Sequence, residues 1–278
     1  MRINARKVKN AIVIFAVGMA MASCQKLVHP ALDPNYPKDA NPPGGPLKFF
    51  AAMDGTDVDS TRANFGVDNN VSYVDGGVSG KALQFDGSKN GYVAYPTAND
   101  FSGATNFTIA FWMKISLAQK DHNNADAILA FASTSNFWSN AVVFADHESS
   151  TSDSMQLKFH FANGGGDNWD FAGYAGNARW PKMYDGVWHH VAFVYDATAK
   201  TATLYRDGVQ FDKKTSETIA FQDPSQLILG GFQQAQGIQG DYAGNTWMSG
   251  FPGMMDNVRL YGEALSASDV QALYTNKQ

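Results

Sequence analysis

With 278 residues, a formal net charge of −5 and a pI near 5.6, the chain carries no clustered basic face, which excludes nucleic acid as a partner. Charged residues make up only 17% and aromatics 13%, and the single cysteine excludes a disulfide framework. Short β-branched and aromatic runs separated by Gly, Asn, Asp and Ser, with no long helical pattern, indicate one large all-β unit.

In chain order, Arg2, Arg6, Lys7 and Lys9 precede the apolar run "AIVIFAVGMA" (11–20), which is too short to span a bilayer and reads as a signal peptide over 1–23. "MASC" then resembles a bacterial lipobox, with Met21 in place of the more usual Leu, which implies acylation of Cys24 and a membrane anchor through lipid. Residues 24–46 form a tether. Six of the ten prolines fall in it, and such a segment favours extended conformers that hold a domain away from a bilayer.

From Leu47 onward, strand signals recur: "LKFFAAM" (47–53), "KALQFD" (81–86), "GYVAY" (91–95), "NFTIAFWMKIS" (106–116), "AILAFAS" (127–133), "AVVFAD" (141–146), "MQLKFHFA" (155–162), "VWHHVAFVYD" (187–196), "TATLYRDG" (201–208), "QLILGG" (226–231) and "GMMDNVRLY" (253–261). Alternation in the fourth puts Phe107, Ile109, Phe111, Met113 and Ile115 on one face, with Thr108, Ala110, Trp112 and Lys114 on the other. The adjacent pair His189 and His190 invites a metal reading, but neighbouring strand residues point to opposite faces, so the two cannot converge on one ion. In "SASDVQALY", Ser266 followed three residues later by Asp269 predicts a capped terminal helix. Two packed antiparallel sheets closed by that helix satisfy the pattern.

Six phrases in order, "GKALQFDG", "FTIAFWMK", "WHHVAFVYD", "LYRDG", "LILGG" and "FPGMMDNVRLYGEALSASDVQALY", resemble the laminin G-like jelly rolls of the concanavalin A-like lectin and glucanase superfamily. The resemblance covers nearly all of 47–278. It implies a two-sheet antiparallel jelly-roll β-sandwich with a short C-terminal helix, a glycan-holding concave face, and a structural calcium to which Asp54 and Asp256 correspond as ligands. With the lipobox it also implies a Bacteroidetes-type lipoprotein of the cell envelope, most simply in the outer membrane.

The fold alone implies no reaction. Laminarinase-type relatives place Glu-x-Asp-x-x-Glu on one strand, and Glu148, Glu217 and Glu263, the only glutamates, begin no such pattern. "STSNFWSN" (133–140), the segment 163–185 and the segment 231–252 instead gather Trp138, Trp169, Trp180, Trp247, Tyr174 and Tyr242 among Asn, Gln, Asp and Gly. Indoles stack on the C–H face of a sugar while amides and carboxylates pair with its hydroxyls, so Trp169, Asp170, Trp180 and Trp247 are the candidate ligand-binding residues. The reading is a non-catalytic binder of a polysaccharide or glycoprotein glycan. Its rivals are a protein-adhesion or scaffold module on the same loops, and a hydrolase or lyase with two acids flanking the bond.

Overall fold

The computed structural model describes residues 45–277 except 122, 147–150, 165, 171–178, 216 and 239–246, with backbone alone for Asn168, Trp169 and Asp170. The signal peptide, Cys24, all but the end of the tether, Glu148, Tyr174 and Tyr242 therefore lie outside the described residues. Among the described residues sixteen strands, numbered in chain order, form two sheets. In the first, the order is β13 (Val209–Thr215), β12 (Thr201–Arg206), β11 (His189–Asp196), β6 (Phe107–Lys114), β16 (Met254–Tyr261), β4 (Lys81–Phe85) and β3 (Val71–Asp75), with β1 (Leu47–Ala51) also on β16. In the second, it is β10 (Asp167–Asp170), β9 (Leu157–Ala162), β8 (Ala141–Ala145), β7 (Ala125–Ser133), β14 (Pro224–Leu229), β5 (Tyr92–Tyr95) and β2 (Val67–Asn69), with β15 (Met248–Gly250) added to β7. Every pairing is antiparallel except β15 on β7.

The predicted alternation of β6 sets the core. Phe107, Ile109, Phe111 and Met113 enter the space between the sheets. There Phe161 of the second sheet meets Phe193 of the first at 4.2 Å between ring centroids, and each such aromatic contributes about 1.5–3 kcal/mol through burial. The other face of β6 is buried too, because helix α1 (Ala267–Asn276) lies across it: Val270 packs against Ala110, Ala192, Val194 and Tyr205, and Tyr274 stacks on Trp112 at 5.5 Å. The helix begins with the predicted capping box, since the Ser266 hydroxyl accepts from Asp269 N at 3.2 Å and the Asp269 carboxylate accepts from Ser266 N.

His189 and His190 face apart as their spacing requires. His189 opposes Met113 and bonds Asp207 at 3.0 Å and Asp185 at 3.2 Å, whereas His190 opposes Trp112 beneath the helix, with its rings 5.2 Å from that indole. Burial drives the His190 pKa down to about 4, so it is a neutral imidazole of the packing.

The second sheet is likewise covered on its outer face. That face presents small side chains, Ala94, Ala125, Ala127, Ala130 and Ala132, with Val142 and Ile228. An alanine floor leaves room for large residues, and Phe232, Trp138, Met248 and Ile238 settle onto it. This cover builds the site.

Candidate functional site

The loop between β7 and β8 is shaped by its own polar side chains. The Ser133 hydroxyl accepts from the backbone N–H groups of Ser135 and Asn136 and donates to Asp223 at 2.6 Å, while Asn136 Oδ1 accepts from Trp138 N at 2.8 Å in an Asx turn. Gln233, fully buried, then clamps the loop with its whole amide. Its Oε1 accepts from Ser133 N and Ser139 Oγ, both at 2.9 Å, and its Nε2 donates to the carbonyls of Asn136 (2.7 Å) and Phe137 (2.9 Å). These bonds hold Phe137 and Trp138 outward on a rigid support.

Among the described residues, four aromatic rings meet there. Trp138 and Trp247 stand edge to face at 5.2 Å, Phe137 packs on Trp138 at 5.1 Å, and Phe232 lies 6.0 Å from Phe137 and 6.4 Å from Trp247. Phe232 is buried and anchors the group. Phe137 and Trp247 remain 40% and 37% exposed, so the cluster ends in an aromatic ledge open to solvent. Trp247 is fixed by backbone, because its carbonyl accepts from Ala125 N at 2.8 Å as β15 joins β7.

Beside the ledge lies a polar triad. Asp167 Oδ1 bonds both Asn136 Nδ2 at 2.9 Å and His160 Nε2 at 2.8 Å, and the His160 ring is 6.2 Å from Trp138. Burial holds the His160 pKa below the ordinary imidazole value despite Asp167, so at neutral pH it donates Nε2–H to the carboxylate. Burial raises Asp167, but the bonds from Asn136 and His160 outweigh it and leave the acid below the usual carboxylate range. A ring-stacking surface thus adjoins an ionised, pre-oriented acceptor.

Of the predicted binding residues, Trp247 takes part in this ledge. Trp169 and Asp170 lie on β10, and Trp169 sits opposite His160 in register, which brings their backbone to the same edge. Trp180 is a correction. It is fully buried in the intersheet core, its ring stacked on Phe211 at 4.6 Å and its backbone bonded both ways to Met155, so no ligand reaches it. Phe137, His160, Asn136, Asp167 and Gln233 were not among the predicted residues. The outward alternation of β9, with Lys158 and His160 between core Leu157, Phe159 and Phe161, was the available signal for His160.

Asp54 and Asp256 come together on one turn, the β3–β4 connection. Asp256 Oδ2 accepts from Val78 N at 2.6 Å and Ser79 N at 3.3 Å, and Asp54 Oδ1 accepts from Lys81 N at 2.9 Å. Only glycine permits this approach, since a Cβ would fall 2.7 Å from Asp256 Oδ2 at Gly77 and 2.3 Å from Asp54 Oδ1 at Gly80, whose φ is +61°. Asp256 is fully buried, its Oδ1 has no hydrogen-bond partner among the described residues, and burial pushes its pKa up to about 6. An orphaned buried carboxylate oxygen with a second acid on the same turn fits a hard cation. Among the described residues no group of three or more His, Cys, Asp or Glu side chains is placed to hold a metal, so an ion here would complete its shell with backbone carbonyls and water.

A further carboxylate pair, Asp121 and Asp126, shares Ser249, whose hydroxyl lies 3.4 Å from the first and 3.1 Å from the second. Asp126 is 2% exposed, and desolvation raises its pKa to about 8.

A two-sheet antiparallel sandwich of jelly-roll type is the architecture of lectin-like domains. Residues 86–271 match the laminin G-type model of the concanavalin A-like lectin/glucanases superfamily, and the chain belongs to that family. No curated protein matches it by sequence. Domain 4 of AbnA, a GH43 extracellular arabinanase from Geobacillus stearothermophilus, in complex with arabinotriose, shares the fold at a TM-score of 0.54 and 18% identity, with 82% of this chain and 98% of that one covered. The binding domain of Paraclostridial Mosquitocidal Protein 1 (TM-score 0.57, 15% identity, 83% of this chain) and that of botulinum neurotoxin DC in complex with SialylT (0.57, 12%, 84%) are similar as well. This chain spans about half the length of those two, 52% of each.

Proposed function

We propose that the protein is a non-catalytic glycan-binding lipoprotein, anchored through Cys24 and presenting its jelly roll in the bacterial cell envelope, where it holds a polysaccharide or glycoprotein glycan. One observation carries this reading: the Trp138–Trp247 pair, opened to solvent by Trp247 and Phe137, stands beside the ionised Asp167. A sugar ring laid on the indoles would bury its C–H face there and donate hydroxyl hydrogens to the carboxylate. The arabinotriose on the AbnA domain and the SialylT complex of the neurotoxin are consistent with glycan binding on this fold.

Binding without hydrolysis is supported by the absence of a Glu-x-Asp-x-x-Glu strand and by the burial of Asp126, which keeps the Asp121–Asp126 pair from a substrate. A calcium ion held by Asp54 and Asp256 would ionise Asp256 and fix the β3–β4 turn, a structural service remote from the ledge.

The test is a glycan array of the full-length chain beside Trp247→Ala and Phe137→Ala. Retention of one glycan class by the wild type, weakened about tenfold or more in each variant, supports the ledge, since an aromatic contact supplies on the order of 1.4 kcal/mol. Equal retention by all three proteins removes the ledge as the site, and silence across the array favours protein adhesion.

A further inference from the structure

On the outer face of the first sheet, at the end of the β3–β4 hairpin away from the Asp54–Asp256 turn, the surface opens into a pocket of about 590 Å³. That is within the ~300–1,000 Å³ typical of small-molecule sites. Ser72 and Gln84 are cross-strand partners on its floor, flanked by Asn70, Asp86, Lys89 and Pro252.

The polar groups are fixed before any ligand arrives. Gln84 Nε2 donates to the carbonyls of Phe85 (2.8 Å), Pro252 (3.2 Å) and Gly253 (2.9 Å), which locks the amide while Oε1 receives no bond among the described residues. Asn70 Nδ2 donates to the Lys89 carbonyl at 3.0 Å, and its Oδ1 is likewise unengaged among the described residues. Asp86 and Lys89 cancel each other in an ion pair at 2.9 Å, with Ser88 Oγ bonded to Asp86 at 2.6 Å. The pocket therefore offers amide oxygens that require donors, the Ser72 hydroxyl, an apolar wall from Pro252, and no net charge.

We propose that this pocket is a second carbohydrate site, separate from the aromatic ledge, that takes one or two units of a neutral sugar. Every sugar hydroxyl can donate to Gln84 Oε1 or Asn70 Oδ1. A peptide would bring as many carbonyl acceptors as N–H donors, and an acidic sugar would meet Asp86 beside Lys89 and so gain no net attraction.

The experiment is a ¹H–¹⁵N NMR titration of the full-length chain with glucose, galactose, arabinose and their neutral disaccharides, against glucuronic and N-acetylneuraminic acids. A neutral sugar is expected to shift the backbone amides of Gly87 and Ser88 and the Gln84 side-chain amide. Ser72→Trp, which fills the pocket, should weaken that binding at least tenfold, and Trp247→Ala should leave it unchanged. Ser88→Trp blocks the same space from an exposed position, and one of the two retaining the wild-type melting temperature suffices for the comparison. The proposal is overturned if none of these sugars shifts the pocket amides, if the shifts survive the blocked pocket, or if the acidic sugars bind as well as the neutral ones.

Discussion

Trp180 and Trp247 are one residue type in two loops of similar composition, yet one is core and the other ledge. The difference lies in backbone pairing: Trp180 is bridged to Met155 and drawn between the sheets, whereas Trp247 is bridged to Ala125 at the rim. Loop composition does not encode which strand edge captures a segment, so both indoles read alike in the sequence. Trp180→Ala should destabilise the fold by about 3–5 kcal/mol in denaturant melts while leaving glycan affinity of the folded fraction unchanged; a mild loss of stability with lost binding would reverse the assignment. Asp126 gives a second residue-scale prediction. Its folded pKa, raised from 3.8 to about 8, means that the native state keeps a proton which the unfolded chain releases. Stability from this group therefore falls as pH rises between about 4 and 8 and levels off above, with Asp256, raised to about 6, adding to the same trend. Asp126→Asn should flatten that slope when unfolding midpoints are compared at pH 5 and above pH 8, and an unchanged slope would contradict the buried neutral acid.

At the scale of elements, the longest alternating runs and the terminal helix were legible. β6, β11 and β16 carry enough β-branched and aromatic residues that period and length agree, and the Ser266–Asp269 spacing locates the helix start by itself. The elements that were missed are short, polar or marginal. β13 mixes exposed and half-buried residues without a clean period at a sheet edge, with a register shift against Leu204/Tyr205, and β15 has three residues whose parallel pairing with β7 leaves no local period. β10 lies in a Gly- and Asn-rich stretch that reads as turn. The 133–140 loop was legible as one of three candidate binding loops, but not what stiffens it, since Gln233 sits about a hundred residues away in sequence. Gln233→Ala would orphan two buried donors, Ser133 N and Ser139 Oγ, and is expected to cost about 2–4 kcal/mol and to weaken glycan binding through a loosened Phe137–Trp138 ledge. A variant that keeps wild-type affinity would show that the loop needs no such clamp.

For the molecule as a whole, each outer face of the sandwich carries a cover, α1 over part of the first sheet and the aromatic segment over the second, and the two covers differ in kind. The helix buries its aliphatic and aromatic contacts, Val270 and the Tyr274–Trp112 stack, while the aromatic cover leaves rings exposed next to ionised groups. The turn at Asp54 and Asp256 belongs to the first sheet, where Asp256 pairs in register with Trp112. If calcium binds there, saturating ion at a hundred times its dissociation constant adds about 2.7 kcal/mol, which for a domain of this size is a rise of roughly 5–10 °C in melting temperature relative to chelator. Asp256→Asn should abolish that rise, and identical melts of the wild type in calcium and in chelator would remove the ion.

The most direct measurement of the central claim is the ¹H–¹⁵N spectrum of the indole N–H groups of the full-length chain during titration with a glycan retained on the array. Glycan binding on the ledge predicts saturable shifts of the Trp138 and Trp247 indole resonances, with that of core Trp180 unmoved. Shifts confined to other residues, with both ledge indoles silent at saturation, would contradict it.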